Sequence, residues 1–563
     1  MASLWTLIRT SAPHRARLEA TRTGDWLVGG WLTGSLLVGG VLMGIAPVNA
    51  WPLAWVALVP LWRVIHLPQQ NIWRIFAGAA LWGMAYHGTA LSWIMGLHPM
   101  TWLGIPWLGS LAIALFAWLF ITLWGAAIGT IWAGIMVALD RWQPMTGATR
   151  VVVGTALWCA LEWVWSKGPL YWTSLSFTQS PHNLLVLQLG QLSGPVTVTA
   201  SIVAVNGLLA EAWCRQARCQ PGRCQQPVSR RANWRLGLRG WLRSRYLGSA
   251  IALFLSLHLL GFGLYTRPLA DGTSQSLDVG LIQGNIPTNQ KLTRKGIQTS
   301  RQIYLDGYEA LAAQGAQLVL TPEGAIPQQW NSFLQSRNLL QRAVVKNAVP
   351  LVLGTFVHES IADRQSPLTQ SLLTLTAEGE VAGRYNKVKL VPLGEYVPFE
   401  AVLGLVIDRL SPLGESMAAG RFDQLLETPF GPMGAGICYE SAFAELFRQQ
   451  VSRGALAIFT ASNNDPYSPR QMKQHHAQDV MRAIETDRWE VRVTNTGISG
   501  VVDPKGRSHW LSTPNEYTTH IAHIYRRQTR TLYVCMGDWL TPLLLAIAGG
   551  VILRQVGRRQ RVS

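Results

Sequence analysis

The run GAGICYESAF, residues 434–443, decides how this chain is read. Small and apolar residues lead up to Cys438 as they would in a short buried strand, and the polar Tyr439, Glu440 and Ser441 mark the turn that follows. A thiol at a strand end is fixed in place and still open to a reactant, as a nucleophilic cysteine must be. Taken alone, such a decapeptide more often marks a cysteine buried as a small hydrophobe, so its neighbours in the sequence have to decide.

Working outward, Lys387 stands 51 residues before Cys438 in GRYNKVKLVPLGEYVPFE (383–400), and Glu323 stands 115 residues before it in LVLTPEGAIP (318–327). Each polar cluster follows an apolar, β-prone run, residues 372–375 and 318–320, which places both at strand ends. A base, a cation and a nucleophile are thus available in one chain. Around them, LDVGLIQGN, AQLVLTP, PLVLGTFV, LLTLT, GAGICYE, ALAIFTAS and EVRVTNT read as strands. Helical patterns lie over 291–314, 328–347, 442–452 and 470–488. The alternation predicts a layered α/β domain. His475 and His476 fall on the last of these helices among polar neighbours, and a surface or supporting place is expected for them rather than a reactive one.

The rest of the chain is of another kind. Over 563 residues, 49% are hydrophobic, 14% charged and 26 are tryptophan, too apolar for a soluble protein of this size. Residues 1–25 carry four arginines but no apolar core or cleavage site, so they do not read as a signal peptide. Apolar segments at about 26–48, 51–65, 72–95, 105–139, 151–165, 189–213, 247–265 and 534–553 predict about eight transmembrane helices. The expected organisation is a cytoplasmic segment 1–25, a seven-span domain 26–266, an extramembrane domain 267–532, and a last span with a basic tail over 533–563.

Positive loops stay cytoplasmic, and the stretch 214–246 holds nine arginines and no acidic residue. With this stretch inside, both termini are inside and the α/β domain is outside. The net charge of +18 then reflects loops facing anionic lipid, and nucleic-acid binding is not expected. Cys214, Cys219 and Cys224 are spaced C-x4-C-x4-C without histidine, which is no zinc pattern, and they read as free thiols. Cys438 is then the lone cysteine inside the outer domain, with no obvious disulfide partner.

Five motifs together, VGLIQGNIP (279–287), TPEGAIP (321–327), YNKVKLVPLGEYVPF (385–399), GICYE (436–440) and TNTGISGVVDPKG (494–506), resemble the nitrilase superfamily in the form found in bacterial apolipoprotein N-acyltransferases. The resemblance implies a four-layer αββα sandwich and a triad of Glu323, Lys387 and Cys438. It also implies that Glu395 and Glu440 support the triad by position and charge, with Asn386 and Tyr439 flanking it. The implied reaction is ping-pong: a phospholipid sn-1 acyl chain passes to Cys438, then to the α-amino group of a diacylglyceryl cysteine on an apolipoprotein. Glu323 acts as base and then acid; Lys387 lowers the thiol pKa and steadies the oxyanion. The partners implied are a phospholipid donor, the apolipoprotein acceptor and the bacterial inner membrane, with the domain periplasmic and the protein monomeric.

No metal or nucleotide motif stands in the sequence, and no cofactor is expected. The loop KGPLYWTSLSFTQSPHN (167–183) either walls the site or packs as ordinary interfacial aromatics. Two features depart from the resemblance: Leu292 follows Lys291 where relatives carry an aromatic residue, and SNNDPYSP (462–469) replaces the usual stretch there. Two rivals remain. A membrane-anchored amidase or nitrilase would share the triad but has no need of the spans, and a transport or lipid-binding scaffold would show more ionisable groups within them than Glu162 and Glu211.

Overall fold

The computed structural model describes residues 12–66, 72–218, 244–269, 272, 275–330, 339–360, 366–392, 394–396, 416–465 and 467–560. The start of the N-terminal segment, most of the arginine-rich stretch with Cys219 and Cys224, part of the expected helix 328–347, and 397–400 of the Lys387 motif lie outside the described residues.

Among the described residues, five helices are long and apolar enough to cross a membrane: Gly30–Asn49, Trp107–Trp142, Pro195–Cys214, Arg245–Tyr265 and Leu540–Arg558. The other three expected spans differ in kind. Trp51–Val64 is short and is broken into pieces beginning near Pro52 and Pro60. Ile72–Ala90 and Gly147–Lys167 are continuous helices, but Arg74 and His87 in one, and Arg150 and Glu162 in the other, lower their hydropathy. The last helix also starts later than expected. The chain turns at left-handed Gly537, and Asp538 caps the backbone N–H of Thr541 at 3.0 Å before the helix Leu540–Gln560 begins. The expected start at 534 belongs instead to Leu532–Met536, whose Val534 packs against Val451 and Ala455 of the α/β domain.

The α/β domain holds two sheets. Strands β1 (Ser276–Gln283), β2 (Leu318–Leu320), β3 (Leu351–His358), β4 (Leu368–Leu375), β5 (Val381–Asn386) and β11 (Thr518–Tyr525) form one, in the order β11-β1-β2-β3-β4-β5. Strands β6 (Gly434–Ile437), β7 (Ile458–Ser462), β8 (Glu490–Thr494), β9 (Gly500–Val502) and β10 (Ser508–Leu511) form the other, in the order β10-β9-β8-β7-β6. The central strands β1-β2-β3 and β6-β7-β8 pair in parallel. Except for β8, which buries Glu490 and Arg492, they read as largely apolar runs because both their faces are covered.

Between the sheets, Val279, Leu320 and Val352 meet Ile437, Phe459 and Val491. Outside the first sheet, Tyr304, Tyr308 and Leu311 of the helix Arg294–Ala313 and Leu340 and Val344 of Leu339–Asn347 cover Val319, Leu351 and Leu353. Outside the second, Leu446 and Phe447 of Ala444–Ser452 pack on Ile458, and Val480 and Ile484 of Pro469–Thr486 pack beside Val502. The layers are αββα, as expected.

Apart from Lys473, the helix Pro469–Thr486 is buried from Gln471 to Thr486, because its other face rests on the membrane half. Gln474 donates to Ala90 O at 3.0 Å and accepts from Trp172 Nε1 at 2.8 Å, and Ser180 Oγ donates to Ala477 O. The α/β domain is therefore seated on the spans by a buried polar helix as well as by covalent connections at each end.

Candidate active site

Strand β6 delivers Cys438 to the centre of the domain. The strand stops at Ile437 because Cys438 takes a left-handed conformation, φ 52°, and opens the 3-10 turn Cys438–Ala442. A residue with a Cβ does this at a cost of order 1–3 kcal/mol, so the surroundings must hold it there. Three contacts do so. The Glu440 side chain accepts the Ile437 N–H at 2.7 Å, Arg482 donates to Ser441 O at 3.0 Å, and His475 Nε2 lies 2.7 Å from Cys438 O. A carbonyl can only accept, so His475 Nε2 carries the hydrogen; Nδ1 is then the acceptor for Asn464 Nδ2 at 3.0 Å. Burial, with the Arg492 charge, holds His475 well below the usual imidazole range, which keeps it in that neutral tautomer.

Lys387 follows the end of β5 and is fully buried. Its ammonium donates to Glu323 Oε1 at 3.2 Å, Glu395 Oε1 at 2.5 Å and Gln370 Oε1 at 3.4 Å, so its three hydrogens have three directions fixed. Burial alone would favour the neutral amine. Glu323 and Glu395 outweigh it and hold Lys387 well above its ordinary range, as a cation. Glu323 sits beyond β2, its second oxygen accepting the Asn463 N–H at 2.7 Å and its carbonyl accepting Lys291 Nζ at 2.9 Å.

Lys387 does pull the Cys438 pKa down, but burial first and the Glu323 charge second push it up to about 12. The resting group is the thiol, and its proton has to leave during attack rather than before it.

Glu440 works from behind. It accepts from Val388 N at 2.6 Å, Lys389 N at 2.9 Å, Ile437 N at 2.7 Å and Tyr385 OH at 2.9 Å, which ties the Lys387 segment to the cysteine turn. Glu395 accepts the Val391 N–H at 2.9 Å in addition to Lys387, and burial raises its pKa. Asn386 turns elsewhere: its Oδ1 accepts from Ser371 Oγ and Arg384 Nε, both at 2.7 Å, so it secures β4 and β5. Tyr439 reaches the membrane half, donating to Pro169 O at 2.8 Å, accepting from Tyr171 N at 2.7 Å and stacking on Trp172 at an interplanar angle of 3°. The loop 167–183 is thus docked directly beside the cysteine turn.

Sequence reasoning left His475 and His476 between a surface and a supporting place and missed which group His475 holds; His475 is 1% exposed and His476 6%, and His475 takes the supporting place behind Cys438 O. Sequence reasoning also missed Arg492, whose guanidinium bonds Asp479, Ser441 Oγ and Ser462 Oγ behind the thiol. The EVRVTNT strand reading placed Arg492 in the core, and a charge there needed a partner. Among the described residues, no cluster of three His, Cys, Asp or Glu side chains could hold a metal.

Comparison with known proteins agrees with both halves. Residues 278–533 match a family model described as carbon-nitrogen hydrolase, and residues 38–208 match the apolipoprotein N-acyltransferase N-terminal domain. The apolipoprotein N-acyltransferase of a Nostoc species is 48% identical over 90% of this chain and 95% of its own. That of a Synechocystis species is 41% identical over 91% and 98%, and that of Thermosynechococcus vestitus 42% identical over 91% and 93%.

Proposed function

This chain belongs to the apolipoprotein N-acyltransferase family, and on that premise we propose that it moves an acyl chain from a phospholipid to the N-terminal amine of a diacylglyceryl apolipoprotein. The observation that carries the mechanism is the buried Lys387 ammonium held between Glu323 and Glu395 beside a strained, protonated Cys438.

In the first half-reaction, Cys438 Sγ bonds to the sn-1 ester carbonyl while Glu323 takes the thiol proton. Lys387 faces the oxyanion; the C–O bond then breaks, the proton passes to the glycerol oxygen, and lysophospholipid leaves. In the second, the cysteine α-amine attacks the thioester, Glu323 takes its proton, and the amide forms as the thiolate departs and is reprotonated. Glu395 balances the charge on Lys387, while Glu440 and His475 hold the two backbone segments in register. Tyr439, with the docked loop 167–183, keeps water from the thioester.

The five long helices, with Ile72–Ala90, Gly147–Lys167 and Trp51–Val64 packed among them, supply eight passes through the bacterial inner membrane. Both termini then lie on the arginine-rich cytoplasmic side, and the domain 267–532 is periplasmic. Every member of the triad comes from one chain, in keeping with a monomer.

The test is intact mass of the purified protein after exposure to phospholipid, for the parent and Cys438→Ala. An acyl adduct on the parent alone, discharged by a diacylglyceryl peptide much faster than by water, is expected. Discharge by water at the same rate would make the protein a hydrolase.

A further inference from the structure

An open cleft of about 790 Å³, its mouth included, lies where the α/β domain meets the spans. None of Glu323, Lys387 and Cys438 lines it; Ala442 and Phe443, the end of the cysteine turn, do. Two lysines meet there from opposite halves of the molecule: Lys167 from the end of the helix Gly147–Lys167, and Lys389, two residues beyond Lys387, from the α/β domain.

The cleft's acids already have donors. Glu445 pairs with Arg448 at 2.6 Å, Glu162 accepts from Leu175 N and Thr199 Oγ1 at 2.7 Å each, and Asp538 accepts from Thr541 Oγ1 at 2.7 Å. The lysines do not. Lys389 lies over the Phe443 ring at 4.8 Å and Lys167 over Trp163 at 5.1 Å, and among the described residues neither ammonium has a hydrogen bond or an ion pair. Half-burial lowers Lys389, and the charge of Lys167 lowers it further against the pull of Glu440, so the two cations repel across the cleft although Lys167 also helps hold the Glu445 carboxyl down. Beside them the walls are apolar, with Val196 and Trp163 leading back along the spans.

Two unpaired cations over an apolar cleft at a membrane boundary match one kind of ligand, an anionic headgroup joined to acyl chains. We infer that this cleft binds the phosphate of the glycerophospholipid acyl donor between Lys167 and Lys389, with the chains on the spans. The inference rests on the acyltransfer reading and adds to it what recognises the donor. Phosphate and sn-1 ester share one glycerol, so an anchor one turn from the thiol selects which ester is presented.

The experiment uses the full chain in detergent and measures acyl-adduct formation from two donors: a phosphatidylglycerol, and a phosphate-free activated fatty acyl ester. For K167Q/K389Q, KM for the phospholipid should rise about tenfold or more with little change in the maximal rate, and K167R/K389R should restore it. The variant's preference for phospholipid over the phosphate-free ester should fall by the same factor. An unchanged KM, or equal losses with both donors, overturns the headgroup site. Inorganic phosphate at about 10 mM should leave the parent's KM unchanged, because the apolar walls supply much of the binding; competition by phosphate alone would reassign the cleft to a free anion. No adduct on the parent from either donor would sink the acyltransfer reading itself, an outcome distinct from all of these.

Discussion

Among the described residues, two buried cations each bridge two carboxylates, one in each half of the molecule. In the α/β domain, Lys387 joins Glu323 at 3.2 Å and Glu395 at 2.5 Å. Where the helices Trp107–Trp142 and Gly147–Lys167 meet, Arg150 joins Asp140 at 2.7 Å and Glu211 at 2.8 Å. The charge arithmetic is the same, and the roles are not. Arg150 presents a planar fork whose donors are spent on tying three helices together, and Asp140 also caps Met145 N at 2.9 Å. Lys387 is a compact point charge beside a cysteine in a left-handed turn, facing a base with one oxygen on the lysine and one on a backbone N–H. A buried ion pair is weak evidence of function; what marks a site is the strained nucleophile placed against it.

Removing each cation should separate the two most sharply. Lys387→Met leaves Glu323 and Glu395 facing each other in the interior, where they relieve repulsion by taking up a proton. The oxyanion partner and the base are then lost together, and acyl-adduct formation should fall by about 10³-fold or more. Arg150→Met should lower stability by about 3–5 kcal/mol, seen as a lower thermal midpoint in detergent, while the rate per folded molecule stays within about threefold. If Arg150→Met abolished turnover at full stability, the distinction drawn above would be wrong. Glu323→Gln is the next step down. Its amide oxygen can still accept from Lys387, but the amide NH2 then faces the Asn463 N–H, so the thermal midpoint should fall modestly; it cannot take the proton of a thiol whose pKa is near 12, and the rate per folded molecule should fall by about 10²–10⁴-fold.

Much of this was legible in the sequence, and the misses share a cause. Parallel strands covered on both faces show as apolar runs, so β1, β2, β3, β6 and β7 could be read directly, and the alternating valines of β8 marked it as well. Strands β5, β10 and β11 lie at sheet edges, where half-exposed residues such as Arg384, His509 and His523 break the pattern, and they were missed with the three-residue β9. Glu323 and Cys438 stood out because each follows a strand that was read; Lys387 was expected after the run 372–375, which lies in β4, whereas it follows the missed β5. His475 did not stand out, since nothing local says that a polar helix is sandwiched between a sheet and a membrane domain. Its contribution is testable: His475→Phe removes the donor to Cys438 O and should slow acylation by about tenfold with no change in the phospholipid KM.

The smallest effect concerns pH. Burial pushes the Glu440 carboxyl up to about 7, against the pull of the Ile437 and Lys389 N–H groups and Lys387. In the unfolded chain it titrates near the ordinary glutamate value of about 4.3. Between these values the folded state binds the extra proton, so Glu440's contribution to stability is fully present below the lower pKa and is lost as pH rises through about 7, an effect of order 3 kcal/mol. Catalysis should run the other way. The four donors around Glu440 suit a carboxylate, and a protonated oxygen must release one of the N–H groups of Val388 or Lys389, loosening the segment that carries Lys387. From pH 8 to pH 6 the thermal midpoint should therefore rise while the acylation rate falls by less than about tenfold. Glu440→Gln, which has no proton to gain, should flatten both slopes. Stability and rate falling together toward acid would mean that Glu440 stays ionised throughout, and that the tie between the lysine and cysteine segments is not the titrating element.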